Sequence, residues 1–262
     1  MDVMGVRSDL IAEQNALDRI VSSIETSQWG LESPSPGWSV ADQIAHLAYF
    51  DNAAALAISD PEQFQNTVDD LLAMFSRGDD AEASMLASYR LMSPDELLES
   101  WREARLTLAD TSGDLTDKRR VVWYGPSMGS KSFLTARLME VWAHGQDILD
   151  AVGLERSETD RLHHIVQLGF ITRSWSYINR GLEPSETPIR VTLESPSGVI
   201  WEFGPDDASE CISGSARDFC LVTTQRRNLE DTSIDIHGDA ALEWLMIAQA
   251  FAGPATDGPA PR

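Results

Sequence analysis

The hydrophobic pattern changes its period near residue 155, and this change constrains the fold more than any other feature of the chain. Before it, in stretches such as 8–28, apolar residues recur at a spacing close to 3.6, which is typical of amphipathic helices. After it, residues 189–193 and 199–203 alternate between apolar and polar, which is typical of half-buried strands. The pattern therefore predicts an α+β protein, with a helical bundle followed by a small α/β domain.

Helix-start signals divide the first half into separate helices. Ser93 is followed by a proline and then by Glu96, and a serine and glutamate at this spacing can cap a first turn. Ser39 and Asp42 repeat the spacing, and Gly153 is a natural residue to end the last helix. Helices joined by short connections predict an antiparallel bundle. The helices predicted in this half are 8–28, 38–59, 62–76, 93–111 and 132–151.

The second half is predicted to combine helices with short strands. A long helix over 158–180 ends at Gly181, and Ser195–Gly198 form the turn of a hairpin between the two alternating stretches. Further short elements are predicted at 211–212 (strand), 215–225 (helix), 234–236 (strand) and 239–251 (helix). The predicted domains are a bundle at 1–155, a linking helix with a small α/β domain at 156–252, and a disordered tail at 253–262.

Charge and cysteine content narrow the function classes. The formal net charge of −22 repels phosphate backbones and anionic lipid, so neither nucleic acid nor membrane is an expected partner. The chain begins without a signal-peptide pattern and contains no apolar run of about 20 residues. Two cysteines that form no CxxC motif suit a reducing cytoplasm and exclude a cysteine-only zinc site. We therefore expect a cytoplasmic protein acting on a small molecule, as a monomer or homodimer.

Two histidines and one glutamate form the most promising group for chemistry. Glu140 and His144 are four residues apart, so they share a helix face and could hold one metal ion. His46, on another predicted helix, could supply a third ligand and leave a coordination position open. Zinc is the first choice, but Fe, Ni, Mn or Co suits the same ligands. The spacing alone is also compatible with an ordinary Glu–His pair on a helix surface.

Two longer motifs around these residues resemble the metal-binding helices of the DinB-like superfamily. They are Gly37–Leu47 (GWSVADQIAHL), followed by Asp51, and Arg137–Ile148 (RLMEVWAHGQDI). Within that superfamily the chain is most similar to the mycothiol-dependent maleylpyruvate isomerase family of actinobacteria. The segment 214–239 resembles the small C-terminal α/β domain of that family, so the resemblance extends over nearly the whole chain.

The resemblance implies a DinB-like bundle with a divalent metal, usually zinc, held by His46, Glu140 and His144. It also implies mycothiol as a thiol cofactor and an arginine of the C-terminal domain in the site, here Arg226 or Arg227. We expect an isomerase or a thiol S-transferase that acts on a small electrophilic or unsaturated carboxylate or carbonyl compound. The alternatives are a metal-dependent hydrolase or lyase that uses no thiol, and a non-catalytic protein stabilised by the metal.

Other candidate residues have structural interpretations. Asp147, one turn from His144, could orient a ligand or could be a solvated carboxylate. Asp51 also lies near a candidate ligand, five residues after His46. The remaining predictions are a helix start at Asp42, a packing role for Trp38, a polar helix face for His163 and His164, a turn at His237 and a small buried side chain at Cys220.

Overall fold

A computed structural model describes residues 1–78 and 81–262, without the side chains of residues 75, 81 and 82. The chain forms two compact units, 1–155 and 156–262. The prediction that each unit is a separate domain stays a prediction. Among the described residues, no helix combines the length and the apolar character that crossing a bilayer requires.

The first unit is helical. Two very short strands, β1 (Arg120–Val121) and β2 (Met128–Gly129), pair antiparallel just before the last helix. Helix α2 packs against α5 and α6, while α1 packs against α6 and α5. The helices are α1 (Val3–Val21), α2 (Val40–Ser59), α3 (Pro61–Arg77), α4 (Ala81–Leu86), α5 (Pro94–Thr111) and α6 (Ser130–Val152).

Local capping explains where the long helices begin and end. At α2, the Ser39 side chain accepts a hydrogen bond from the backbone N–H of Asp42, and Asp42 accepts one from Ser39 in return. Ser93 and Glu96 form the same reciprocal pair at α5. Helix α6 ends at Gly153, whose φ of +68° suits glycine. The predicted starts at Ser39 and Ser93 and the predicted end at Gly153 are therefore confirmed.

The core of the first unit lies between α1, α2, α5 and α6. It is built from large side chains that are almost fully buried, including Leu17, Ile44, Leu47, Trp101, Leu138 and Trp142. Burying such side chains contributes on the order of 2 kcal/mol each to the free energy of unfolding. The same packing fixes how α2 and α6 face each other, and these are the helices that carry the candidate metal ligands.

The second unit has a mixed sheet with helices packed on it. The strand order is β4–β3–β5–β6; β3 pairs antiparallel with β4 and parallel with β5, and β6 pairs antiparallel with β5. The predicted hairpin at 189–203 and the predicted α+β fold class are thus confirmed. The elements are α7 (Leu162–Ile171), α8 (Arg173–Ile178), β3 (Ile189–Glu194), β4 (Ile200–Phe203), β5 (Glu210–Ser215), α9 (Ala216–Thr223), β6 (Asp235–His237) and α10 (Asp239–Ile247).

Some predicted boundaries were wrong. The first helix runs over 3–21 rather than 8–28. It begins earlier because Asp2 caps it by accepting a hydrogen bond from Gly5 N, and it ends at Val21, before Ser22. The single helix predicted at 158–180 is two helices divided at Thr172, whose hydroxyl bonds to the backbone carbonyl of Leu168.

The C-terminal tail, expected to be disordered, has no helix or strand over 253–262 but makes hydrogen bonds within the second unit. The side chain of Asn179 donates to the carbonyl of Gly253 at 3.0 Å. The Asn228 side chain donates to the carbonyl of Pro259 at 2.9 Å. The tail is therefore placed by polar contacts to loops and helix ends rather than by strand pairing.

Candidate metal centre

His46, Glu140 and His144, hereafter the triad, converge in the first unit. His46 lies on α2 and the other two lie on α6. The distance from Glu140 Oε2 to His46 Nε2 is 3.5 Å, and that to His144 Nε2 is 3.0 Å. The two imidazole rings are 4.2 Å apart between centroids. One possible ligand atom from each side chain lies within 4.8 Å of the others, so the three could bind one cation.

The spacing and chemistry of these atoms suit a divalent metal ion. Ligands roughly 2.0–2.1 Å from a tetrahedral zinc lie about 3.3 Å from one another. The two separations from the carboxylate oxygen, 3.0 and 3.5 Å, fall on either side of that value. Two imidazoles and a carboxylate are donors that zinc and related metals accept, and three protein ligands leave a coordination position for water, thiol or substrate.

His46 and Glu140 are held in the protonation states that a metal needs. Burial, together with the neighbouring His144, lowers the pKa of His46 from 6.5 to about 3, so this imidazole is neutral at physiological pH. Burial alone would raise the pKa of Glu140, but hydrogen bonds with His144 and His46 outweigh it and hold that pKa well below the usual 4.5. Metal binding would therefore not have to displace a proton from either group.

Gln43 orients His144 from the neighbouring helix. Its Oε1 lies 2.5 Å from His144 Nδ1, and its Nε2 donates to Ser33 Oγ at 2.8 Å. Since the Ser33 hydroxyl donates to the carbonyl of Trp38, it must accept from Gln43, and this fixes which way the amide points. Gln43 is fully buried, so the arrangement has no competition from bulk water.

This hydrogen bond selects one tautomer of His144. A neutral imidazole has a single N–H, yet both ring nitrogens of His144 face an oxygen, from Gln43 and from Glu140. With Nδ1–H donating to Gln43, a bound cation would take the Nε2 lone pair and replace the hydrogen bond between Nε2 and Glu140. A cation between Nε2 and that carboxylate would satisfy both groups, which is how a metal-binding histidine is usually held.

Neither nearby aspartate belongs to the triad. Asp147, which could have been a solvated carboxylate, is buried; its Oδ2 lies 3.9 Å from His144 Nδ1 and accepts a hydrogen bond from Ser35. Asp51 is also fully buried, and its carboxylate pairs with Arg137. Asp42 caps α2, as predicted, and forms an ion pair with Arg90.

Aromatic side chains surround the triad on one side. The Trp38 ring lies 5.1 Å from the His46 ring and stacks at 5.9 Å on that of His144. The Phe50 ring, on the same helix, lies 4.5 Å from the His46 ring, and the Tyr124 ring lies 5.7 Å from the Phe50 ring. Burial and a hydrogen bond with Tyr49 raise the pKa of Tyr124, so its hydroxyl stays neutral. These half-buried rings limit water around the imidazoles.

The two candidate arginines lie in the second unit, directly after α9. The backbone N–H groups of Arg226 and Arg227 both donate to the carbonyl of Leu221. Their guanidinium groups also donate locally, that of Arg226 to the carbonyl of Thr224 and that of Arg227 to the carbonyl of Arg226. A role for either arginine beside the triad stays a prediction.

The remaining histidines and Cys220 are accounted for within the second unit. His163 is exposed on α7, and its ring makes a T-shaped contact with that of Trp201. His164 is buried, so its predicted place on a polar face was wrong. His237 ends β6 just before a glycine, as expected. Cys220 is fully buried, and burial raises the pKa of its thiol well above the usual value, so it is an unreactive core side chain.

Two polar residues near the triad were missed by sequence reasoning. Gln43 lies one turn before His46, and Arg137 lies one turn before Glu140. Their partners are on the opposite helix, so no spacing within one helix indicates the contact. A usable signal is that each stands at a position facing the core of a helix already assigned a metal ligand.

Together these features describe a class of protein: a helical bundle whose two helices bring two imidazoles and one carboxylate together, followed in the chain by a small α/β unit. The chain belongs to the family described as "Mycothiol maleylpyruvate isomerase N-terminal domain", which matches residues 10–149. The matched region includes the whole of α2 and α5 and all three residues of the triad.

Relatives with similar sequences extend over almost the whole chain. Uncharacterized proteins of Mycobacterium tuberculosis, from strains CDC 1551 / Oshkosh and ATCC 25618 / H37Rv, are each 42% identical over 247 residues. The alignment covers 94% of this chain and 95% of each relative. The alignment therefore includes residues of both units.

Two solved structures have the same fold. The crystal structure of a mycothiol-dependent maleylpyruvate isomerase is 18% identical, with a TM-score of 0.57 over 99% of this chain and 97% of the other. The crystal structure of a histidine-to-alanine mutant of a mycothiol-dependent maleylpyruvate isomerase is 19% identical, with a TM-score of 0.56 over 90% of this chain and 93% of the other. At such identities the likeness concerns the fold and does not by itself assign a reaction.

Proposed function

We propose that the protein is a metal-dependent enzyme, with zinc as the first candidate metal, and that it uses mycothiol as an isomerase or a thiol S-transferase. The observation that carries the proposal is the convergence of the triad, with Glu140 Oε2 within 3.5 Å of both imidazole nitrogens. Membership of the family adds the thiol. The expected substrate is a small electrophilic or unsaturated carboxylate or carbonyl compound.

A divalent metal bound by the triad would lower the pKa of a bound thiol or polarise a substrate carbonyl. The protein's own residues prepare this position. His46 is neutral, Glu140 is ionised, and Gln43 holds the Nδ1 proton of His144 away from the ligand nitrogen. Trp38 and Phe50 would limit water beside the imidazoles, which would strengthen electrostatic interactions there.

A substrate carboxylate would need a cationic partner. The family resemblance implies Arg226 or Arg227 for this role, and a planar guanidinium can bind a carboxylate through two parallel hydrogen bonds. This choice leaves open which of the two arginines serves.

The test is to incubate the zinc-loaded protein with maleylpyruvate or a general electrophile such as 1-chloro-2,4-dinitrobenzene, with and without mycothiol. An isomerase returns the thiol unchanged, whereas a transferase consumes one thiol for each product. Either activity supports the proposal if it is lost in H46A and H144A. Turnover without thiol would instead indicate a hydrolase or lyase, and the absence of turnover with any electrophile would favour a binding protein.

A further inference from the structure

A buried ion pair lies between the two helices that carry the triad. Arg137 donates to Asp51 Oδ1 from Nη2 at 2.8 Å and from Nε at 3.2 Å. Asp51 is on α2, five residues after His46, and Arg137 is on α6, three residues before Glu140. The Asp51 side chain is fully buried and that of Arg137 is 4% exposed.

The second oxygen of Asp51 connects the other two long helices to this point. Its Oδ2 accepts from Gln14 Nε2 of α1 at 3.0 Å and from Trp101 Nε1 of α5 at 3.3 Å. One carboxylate therefore receives donors from α1, α5 and α6 while it belongs to α2. This arrangement fixes how the four helices are aligned with one another along the axis of the bundle.

Stability alone is a weak reason for such a pair. Removing two charges from water often costs as much free energy as their attraction returns, and apolar side chains of similar volume can replace a buried pair without loss. A buried pair can instead specify one arrangement of helices among several that would pack equally well. Here the arrangement it would specify is the one that brings α2 and α6 into the register of the triad.

Phe50 lies between Arg137 of the ion pair and the candidate ligand His46, and it contacts both. The Arg137 guanidinium carbon lies 5.9 Å from the centre of the Phe50 ring, and that ring lies 4.5 Å from the His46 ring. A guanidinium is attracted to the face of an aromatic ring. The position of Arg137 thus influences the side chain that packs against His46, in addition to the register of the two helices.

We propose that Asp51 and Arg137 are positioning residues that hold His46 at binding distance from Glu140 and His144. This inference rests on the proposed metal centre, since it assigns the pair to metal binding rather than to folding. It predicts that removing the pair weakens metal binding even when the bundle remains folded.

The test compares Co²⁺ binding to the wild type, D51L/R137L and R137K, followed by the d–d absorption spectrum and by competition with a chelator. The matched control is D18N, since Asp18 pairs with Arg102 and Arg105 to connect α1 and α5 away from the ligand helices. Circular dichroism and urea unfolding of each protein separate an effect on metal binding from an effect on folding.

We expect D51L/R137L to bind Co²⁺ about 10–100-fold more weakly, with a changed spectrum, and R137K to lie between it and the wild type. D18N should lose stability but keep its affinity. A folded double variant with wild-type affinity and spectrum overturns the inference. If the double variant does not fold, wild-type affinity in R137K overturns it. Failure of the wild type to bind Co²⁺ would instead overturn the proposed metal centre together with this inference.

Discussion

Gln43 Oε1 and His144 Nδ1 are 2.5 Å apart and connect helix α2 to helix α6 beside the triad. The amide orientation is fixed by Ser33, so the contact has a defined donor, the N–H of His144. It therefore decides which nitrogen of His144 is available to a metal. Because Gln43 and His46 share α2, one helix supplies both a ligand and the partner that orients another ligand.

Replacing Gln43 by methionine should weaken zinc binding by about 10–100-fold, because the tautomer of His144 would no longer be selected. The substitution keeps the side-chain volume, so the fold should persist. Q43E restores an acceptor and should bind more tightly than Q43M. Competition with a chromophoric chelator measures the affinities. Q65M, on the exposed face of α3, is the control, and equal affinities of Q43M and Q65M would contradict the assigned role.

The metal-free protein should lose stability as the pH falls below about 6.5. Unfolded His46 takes up a proton near that pH, whereas the folded imidazole does so only near pH 3. Its contribution is thus present in full above pH 6.5 and decreases towards pH 3, by at most about 1.4 kcal/mol per pH unit. Urea unfolding of the wild type and H46Q between about pH 7 and about pH 5 measures this. Parallel pH dependences would contradict it.

Removing the Trp38 ring should raise the pKa of His46, because burial is the first cause of its low value. NMR titration of the imidazole protons in metal-free W38A measures the change directly. We also expect metal binding of W38A to weaken most in mildly acidic solution, where protons begin to compete. W175A, in the second unit, serves as the control, and an unchanged His46 titration in W38A would show that this ring does not keep water away.

One of R226M and R227M should lose affinity for maleylpyruvate, whose carboxylate the arginine would bind, by about 10–100-fold, the effect expected of a charge-assisted hydrogen bond, while its zinc content stays unchanged. Calorimetric titration of the zinc-loaded proteins gives the affinity. R217M, which removes an exposed arginine at the start of α9, should bind like the wild type. If both R226M and R227M also bind like the wild type, the arginine predicted from the family resemblance is elsewhere.

Much of the helical unit was predictable because its signals are local. The caps at Ser39 and Ser93 and the glycine at 153 act within one turn, so the sequence around them determines where helices start and stop. Glu140 and His144 share a helix face by spacing alone. Thr172 was missed because the bend follows from a hydroxyl bonding to the backbone, which the apolar pattern does not record.

Contacts between helices were the part that the sequence could not supply. Gln43 is an ordinary polar residue until α6 places His144 beside it. Asp51 was considered only as a residue near His46, because its partner Arg137 is 86 residues away in the chain. His164 was placed on a polar face, although packing buries it. Each of these depends on which helix packs against which, and hydrophobic periodicity leaves that open.

The central claim is that His46, Glu140 and His144 bind one divalent metal ion, and elemental analysis of the purified protein tests it most directly. Inductively coupled plasma mass spectrometry would compare the wild type with H46A, H144A and the control H237A, which changes an exposed histidine of the second unit. We predict about one equivalent of metal in the wild type and H237A, and little in H46A and H144A. The same metal content in all four proteins would contradict the claim.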